Sequence, residues 1–364
     1  MQVALLGLPG SGKTTLFNAL TGGHAATAAH GGARGSANVG VARVADARLD
    51  ALSAMFSPRK TTPAVVTYVD LAFPAGALRA ETLSADLAGQ LRNADALVHV
   101  VRAFAAAGDE ATADPWRDAE EMELELALAD LGVLQRRLER LRTAGRHGTT
   151  AERTRNAAEE AVLARIEPLL GEGTPLRALD IGEDEERLLR GFGFLSQKPM
   201  LVVINLDEAR MDPSEEVVRE GEARLAGPGL AIATLSARIE AEIAELPPDE
   251  QEAFMRELGI VEPSRDRVVR MTYELLGLIS FFTVGEDECR AWTVARGATA
   301  VDAAAAIHSD LARGFIRAEV IGHDGLLVDG SLAEARRRGH LRSEGKSYVV
   351  RDGDVVHVLF NVAR

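Results

Sequence analysis

The stretch "GLPGSGKTTLFNAL", residues 7–20, decides how the first part of the chain folds. It fits the phosphate-loop pattern G-x-x-x-x-G-K-[ST], with Gly7, Gly12, Lys13 and Thr14 in the fixed positions. An apolar run before the loop predicts a buried parallel strand, and the residues from Thr14 onward predict a helix. Glycines in such a loop let backbone N–H groups converge on phosphate oxygens at a helix N-terminus. The sequence therefore predicts a nucleotide phosphate site within an α/β domain.

The roles of the loop residues follow from the same chemistry. We expect Lys13 to reach the β- and γ-phosphates and the Thr14 hydroxyl to ligate Mg²⁺. Asp70, at the end of the apolar strand "AVVTYVD", is the second candidate metal ligand, and Lys13 and Asp70 are the candidate catalytic residues. The predicted phosphate-binding residues are Leu8, Pro9, Gly10, Ser11, Gly12, Lys13, Thr14 and Thr15.

Composition limits the class of protein. With 364 residues, 46% apolar and 26% charged, the chain is expected to form two or three soluble domains. It has no apolar span of about 18 residues and begins directly in a strand, which predicts no membrane helix and no signal peptide. A single cysteine, Cys289, excludes an internal disulfide and predicts a cytoplasmic location. The net charge of −14 argues against general coating of nucleic acid but leaves room for a local basic patch.

Hydrophobic patterning predicts three domains. Strand-like apolar runs continue to "ALVHVV" (96–101) and return at "KPMLVVIN" (198–205) and "LAIATLSA" (230–237). Between them, leucines and an alanine recur from Leu124 to Leu141 at spacings of three and four, which is a heptad seam. We therefore predict a doubly wound nucleotide domain with an inserted antiparallel coiled-coil hairpin. The predicted limits are 1–117 and 198–276 for the nucleotide domain, 118–197 for the helical insertion, and 277–364 for a C-terminal domain.

The C-terminal residues have a different pattern of predicted secondary structure, with short strands, one helix and tight turns. "FFTV" and "CRAWTV" flank "GEDE" as a predicted β-hairpin, and "AVDAAAAIHSDLARG" is a predicted helix whose Gly314 suits a left-handed cap. "KSYVVRDGDVVHVLFNV" predicts two strands separated by an Asp-Gly turn. A small mixed sheet over one helix indicates a β-grasp domain.

At this point the chain resembles a known family over nearly its whole length. "GLPGSGKTTLFNAL", "ADALVHVVRAF", "ELALADL", "LRALDI", "NLDE", "FMRELGI", "GFIRAEVI" and "EGKSYVVRDGDVVHVLFNV" are similar to the YchF subfamily of Obg-like translational GTPase-fold proteins. The resemblance implies a P-loop NTPase with an inserted coiled coil and a C-terminal TGS domain. It also implies a cytoplasmic, ribosome-associated protein that binds and hydrolyses ATP or GTP with Mg²⁺.

The candidate base site favours ATP over GTP. GTPases read guanine with N-K-x-D, whose Asp accepts hydrogen bonds that adenine cannot donate. This chain has Asn205-Leu206-Asp207-Glu208, which matches the subfamily's N-x-x-E. Asn205 can pair with adenine N6 and N7. Leu206 stands where the stacking lysine would be, and Glu208 stands where the Asp would be. Ser236 and Ala237 resemble the family's second base-contact loop.

Two elements that contact the γ-phosphate depart from the family pattern. Where GTPases carry D-x-x-G, Asp70 is followed by Phe73 and then Pro74, and phenylalanine cannot adopt the backbone conformations open to glycine. In the first switch, alignment on "ANVG" (37–40) places Arg34 at the threonine position, with Thr27 and Ser36 out of register. We therefore expect tight binding and slow hydrolysis, because these parts stabilise charge in the transition state.

Arginines cluster at the predicted tip of the hairpin. Residues 136–155 contain seven arginines and two acidic residues, and Arg140, Arg142 and Arg146 are the candidate contacts to ribosomal RNA. The alternative is a solvated helix face. The C-terminal domain carries a second basic cluster with the same two interpretations, formed by Arg336, Arg337, Arg338, His340 and Arg342.

Two other functions remain open from the residues alone. A catalytically decayed nucleotide-binding scaffold on the ribosome would explain the altered switches. A P-loop kinase would share "PGSGKTT", but it would need an arginine-bearing lid and an acceptor site and would not need N-x-x-E or a TGS domain.

Overall fold

The computed structural model describes residues 1–23, 37–71, 85–104, 114–144, 149–207, 214–225, 227–258, 260 and 262–361. Several residues singled out above lie outside these ranges. They are Thr27, Arg34, Ser36, Phe73, Pro74, Arg146 and Glu208.

The described residues form the following secondary structure. The strands are β1 (Gln2–Leu6), β2 (Asn38–Arg43), β3 (Lys60–Thr62), β4 (Val65–Asp70), β5 (Ala96–Ala103), β6 (Met200–Leu206), β7 (Leu230–Leu235), β8 (Leu278–Thr283), β9 (Glu288–Ala295), β10 (Phe315–Gly322), β11 (Arg342–Glu344) and β12 (Asp354–Phe360). The α-helices are α1 (Lys13–Thr21), α2 (Ala47–Phe56), α3 (Ala85–Asn93), α4 (Pro115–Ala144), α5 (Thr150–Gly171), α6 (Glu183–Leu189), α7 (Ser214–Leu225), α8 (Ala237–Glu245), α9 (Pro248–Glu257), α10 (Ser264–Leu275), α11 (Ala300–Ile307), α12 (Ser309–Arg313), α13 (His323–Asp329) and α14 (Leu332–Arg338).

The chain divides into two compact units. The first contains residues 1–41 and 67–268, and the second contains residues 42–66 and 269–364. The segment 42–66 therefore packs with the C-terminal residues, whereas its position in the sequence suggested the nucleotide domain. The reason is that β3 pairs in parallel with β9, and the Arg48 guanidinium forms a 2.8 Å ion pair with Asp352.

The first unit is built on a six-stranded sheet of order β2-β4-β1-β5-β6-β7. β1 pairs in parallel with β4 and β5, and β6 pairs in parallel with β5 and β7. Helices connect these strands, as the predicted doubly wound α/β fold requires. Because the carboxyl ends of parallel strands share one edge of the sheet, the ends of β1, β4 and β6 bring their following residues together.

Two long helices, α4 and α5, are inserted between β5 and β6 and pack against each other. Ala127, Leu134 and Leu138 of α4 share a hydrophobic core with α5, so the heptad seam predicts the buried face. Leu124 is an exception, with 43% of its surface exposed. The Arg137 guanidinium donates to the Glu159 carboxylate at 2.7 Å across the pair. The description of the α4–α5 pair as a coiled coil stays a prediction.

The second unit has a sheet of order β11-β10-β12-β8-β9-β3. β8 and β9 form the predicted antiparallel hairpin. Residues before the Asp-Gly turn contribute a single bridge, Thr299 to Val349, in place of the predicted strand. The assignment as a TGS domain stays a prediction.

The prediction for Gly314 was wrong. The helix around it is divided at His308, which is extended, and Gly314 has a φ of −89°. A Cβ at this position would lie 2.2 Å from the carbonyl oxygen of Asn361. Glycine is therefore required for a close backbone approach, and no left-handed cap forms.

Candidate functional site

The loop between β1 and α1 has the conformation that its glycines predict. Gly7, Gly10 and Gly12 all have positive φ values, of 143°, 78° and 93°. A Cβ on Gly7 would lie 2.3 Å from the Val100 carbonyl oxygen, so the loop begins in direct contact with the backbone of β5. Gly12 precedes α1 and has no side chain to cap it, which leaves the first N–H groups of the helix available to an anion.

Lys13 lies inside the loop and is 8% exposed. Its Nζ donates to the carbonyl oxygens of Gly7 at 2.7 Å and Leu8 at 3.0 Å. Burial lowers the pKa of Lys13 to about 8, against the opposing attraction of the Asp70 carboxylate. Phosphate oxygens would stabilise the charged form of such a buried ammonium, so the loop is arranged to receive an anion.

Thr14 and Asp70, the two predicted metal ligands, are in contact. The Thr14 hydroxyl donates to Asp70 Oδ2 at 2.9 Å. Asp70 ends β4 and pairs with Leu5 of β1, which places its carboxylate beside the start of the loop. A third side chain joins them, because Asn38 Nδ2 donates to the same Oδ2 at 3.2 Å. Sequence reasoning did not single out Asn38, since the contact depends on β2 lying next to β4 in the sheet.

Asn205, the predicted base contact, connects two parts of the site. Its Nδ2 donates to the Ser11 carbonyl oxygen at 2.9 Å, and its Oδ1 accepts from the Ala237 N–H at 2.9 Å. The side chain is buried, with 4% exposed. A Cβ on Gly12 would lie 2.2 Å from Asn205 Nδ2, so the loop passes directly over this amide.

The neighbouring base-site predictions have different outcomes. Leu206 is 5% exposed and belongs to the hydrophobic core of the sheet together with Ile204. Successive strand residues face opposite sides, so Leu206 lies on the face opposite to Asn205, and its contact with a base stays a prediction. Ser236 is the N-cap of α8, where its Oγ accepts from the Ile239 N–H. Glu208 lies outside the described residues.

The other loop residues differ in exposure. Pro9 and Gly10 are exposed, and Leu8, Thr14 and Thr15 are half-buried. Ser11 is buried, and its Oγ has no hydrogen-bond partner among the described residues. We therefore expect Ser11 to contribute its backbone to the site.

A second residue that sequence reasoning missed is His99. It lies on β5 opposite Leu6, is 1% exposed, and has no partner for Nδ1 within the described ranges. Burial, followed by the charge of Lys13, lowers its pKa to about 3. His99 is therefore neutral beside the loop, and its apolar strand contains no signal that distinguishes it from a core position.

The two basic clusters differ in how their charges are paired. At the hairpin, Arg140 is exposed, and Arg142 is 57% exposed with its guanidinium 3.8 Å from Glu160. In the second unit, each basic side chain of the cluster has a close acidic partner. The pairs are Arg336–Glu319, Arg337–Glu334, Arg338–Asp329, His340–Asp329 and Arg342–Glu344. The hairpin is therefore the better candidate for binding phosphate backbones.

Known proteins share this architecture. A family model described as "50S ribosome-binding GTPase" matches residues 2–131. The YchF GTPase C-terminal model, described as "Protein of unknown function (DUF933)", matches residues 278–361. The loop, the sheet order and these matches define a P-loop NTPase. Within the part of the chain that the structure describes, none of the helices could span a membrane.

Full-length relatives give the family. The chain is 38% identical to the ribosome-binding ATPase YchF of Bacillus subtilis (strain 168) over 371 residues, covering 100% of both. It is also 38% identical to the ribosome-binding ATPase YchF of Escherichia coli O157:H7, covering 99% of both. The solved YchF GTPase of Schizosaccharomyces pombe superposes with a TM-score of 0.84 at 25% identity, covering 99% of this chain and 97% of that one. The chain belongs to the YchF family.

Proposed function

We propose that this protein is a P-loop ATPase that binds ATP with Mg²⁺ and associates with the ribosome. The observation that carries the proposal is the loop itself, in which the buried Lys13 is held by the carbonyls of Gly7 and Leu8 at the N-terminus of α1, which no side chain caps. ATP and the ribosome are named because the curated relatives are called ribosome-binding ATPases.

The metal site is proposed on the chemistry of its donors. Thr14 offers a hydroxyl and Asp70 a carboxylate, and hard oxygen donors of this kind suit Mg²⁺. Thr14 and Asp70 would hold the cation, which would neutralise charge on the phosphates. Lys13 would bind the same phosphates, and Asn205 would keep the loop and the base site in fixed relation.

Adenine recognition is proposed for the Asn205 side of the site. One Nδ2 proton and one Oδ1 lone pair serve the protein backbone. An amide has two protons and two lone pairs to offer, so one of each remains for N6 and N7 of adenine. Glu208 and Ser236 complete the proposed base site. Guanine recognition requires an Asp as the last residue of the motif, and N-x-x-E does not provide one.

Slow hydrolysis is proposed from the altered switches. Phe73 replaces the glycine whose amide would contact the γ-phosphate, and Arg34 replaces the first-switch threonine. One such donor is typically worth about 10²–10³ in rate. We therefore expect weak turnover by the isolated protein.

Nucleotide titrations test the proposal. ATP and GTP are titrated into the protein with Mg²⁺ and with EDTA, and ATP turnover is measured with and without potassium. We expect ATP to bind more tightly. A tenfold preference for GTP, about 1.4 kcal/mol, would contradict the base assignment. Rapid multiple turnover without ribosomes would contradict the assignment of slow hydrolysis.

A further inference from the structure

The Asp70 carboxylate is held by two donors on one oxygen. Thr14 Oγ1 and Asn38 Nδ2 both donate to Oδ2, at 2.9 Å and 3.2 Å. Asp70 is 5% exposed, so few water molecules compete for these bonds. A carboxylate with one partner can rotate about its Cβ–Cγ bond, whereas two donors from different elements fix its plane.

The sheet positions Asn38 to hold the Asp70 carboxylate. It is the first residue of β2, and β2 lies beside β4, the strand that ends at Asp70. The donor is therefore attached to a strand that is hydrogen-bonded to the strand carrying Asp70.

The chemistry of an amide also suits a cation site. Lysine or arginine at this position would hold the carboxylate equally well, but its positive charge would repel a divalent cation. The asparagine side chain donates a hydrogen bond without adding charge. With Oδ2 held by two donors, Oδ1 is the carboxylate oxygen that we assign to the magnesium shell.

We infer that Asn38 is a positioning residue for the magnesium site, which fixes Asp70 and thereby raises the affinity for Mg²⁺ in the nucleotide complex. This inference rests on the proposed function, because it requires that the loop binds nucleotide with Mg²⁺. Partners that orient metal ligands typically change metal affinity by 10–100-fold when they are removed.

The test separates metal binding from nucleotide binding. ADP is titrated calorimetrically into the protein in EDTA and at a series of fixed Mg²⁺ concentrations. The variants are Asn38→Ala and Asn38→Leu, of which the second keeps the side-chain volume and removes the donor. Asn93→Ala is the matched control, because Asn93 is an exposed asparagine at the end of α3.

We expect both Asn38 variants to bind ADP in EDTA as the unaltered protein does. The Mg²⁺ concentration that gives half of the affinity gain should rise by about 10–100-fold in both, and Asn93→Ala should leave it unchanged. Unchanged Mg²⁺ dependence in the Asn38 variants, or an equal loss of ADP affinity with and without Mg²⁺, would overturn the inference. Failure of the unaltered protein to bind ADP, or to gain affinity from Mg²⁺, would instead overturn the proposed function and the inference with it.

Discussion

Asn205 joins the phosphate loop to the start of helix α8, because its amide bonds the Ser11 carbonyl oxygen and the Ala237 N–H at 2.9 Å each. The two bonds use opposite ends of one buried side chain. The asparagine is therefore a structural connection between the phosphate loop and the start of α8.

The first prediction follows from this connection. Asn205→Ala would leave the Ser11 carbonyl and the Ala237 N–H without their partner, and each buried group that loses its bond costs about 1–3 kcal/mol. We expect the nucleotide-free variant to unfold at lower urea concentration and to bind ATP more weakly. Urea denaturation and calorimetric titration measure the two effects, with Asn93→Ala as a control. Unchanged stability would show that the two bonds contribute little.

The second prediction compares two glycines of the loop. Both Gly10 and Gly12 have positive φ, but a Cβ on Gly10 meets no atom within 4 Å, whereas one on Gly12 would lie 2.2 Å from Asn205 Nδ2. Gly10→Ala should therefore cost only the strained backbone, about 1 kcal/mol. Gly12→Ala should cost about 1–3 kcal/mol more, because Asn205 cannot move without losing its bonds.

Urea denaturation of the two nucleotide-free variants checks this difference. Equal losses of stability would mean that the Asn205 amide moves aside at no cost. ATP titration should separate them further, since only Gly12→Ala displaces the residue that supports the base site.

The sequence predicted the elements of the site better than their contacts. The loop pattern identified Lys13 and Thr14, and the end of the apolar strand "AVVTYVD" (64–70) located Asp70, because short motifs and strand ends are local features. Asn38 escaped prediction because it reaches Asp70 only when β2 and β4 are neighbours, and strand order is not encoded within either segment.

Two further differences have local physical reasons. β6 is buried on both faces, so its sequence does not reveal which face lies toward the phosphate loop, the side that Asn205 occupies. The segment 42–66 follows β2 in the chain, but β3 pairs with β9 from the far end of the sequence. Such long-range pairing leaves no mark on composition or periodicity.

The third prediction concerns pH. Burial lowers the pKa of Lys13 to about 8 in the folded protein, while in the unfolded chain it is near 10.5. Between these values the unfolded chain holds more protons, so the contribution of Lys13 to stability rises as the pH rises through this window. Bound phosphate would keep Lys13 protonated, so ATP affinity should fall above pH 8, by up to about tenfold per pH unit.

The variant Lys13→Met separates this effect from other groups. Burial also lowers the pKa of Lys198, but that lysine is present in both proteins and cancels in the difference. Urea denaturation at pH 7–10 should show that the stability advantage of the variant shrinks as the pH rises. A difference that stays constant across this range would contradict the lowered pKa.

Lys13→Ala should abolish ATP binding while the fold remains intact.

The fourth prediction assigns salt-sensitive ribosome association to the hairpin tip. Arg140 and Arg142 are exposed there, and each phosphate that the protein no longer neutralises should reduce the slope of log affinity against log salt by roughly 0.7–0.9. We expect replacement of Arg140, Arg142 and Arg146 with Gln to flatten the dependence of ribosome affinity on salt, measured by sedimentation with purified ribosomes.

Arg336→Gln with Arg337→Gln is the control, because these guanidiniums are already paired with Glu319 and Glu334 and should change the slope little. An unchanged slope in the hairpin variant would show that the tip is a solvated helix face, and a flattened slope in the control would move the ribosome-binding surface to the C-terminal unit.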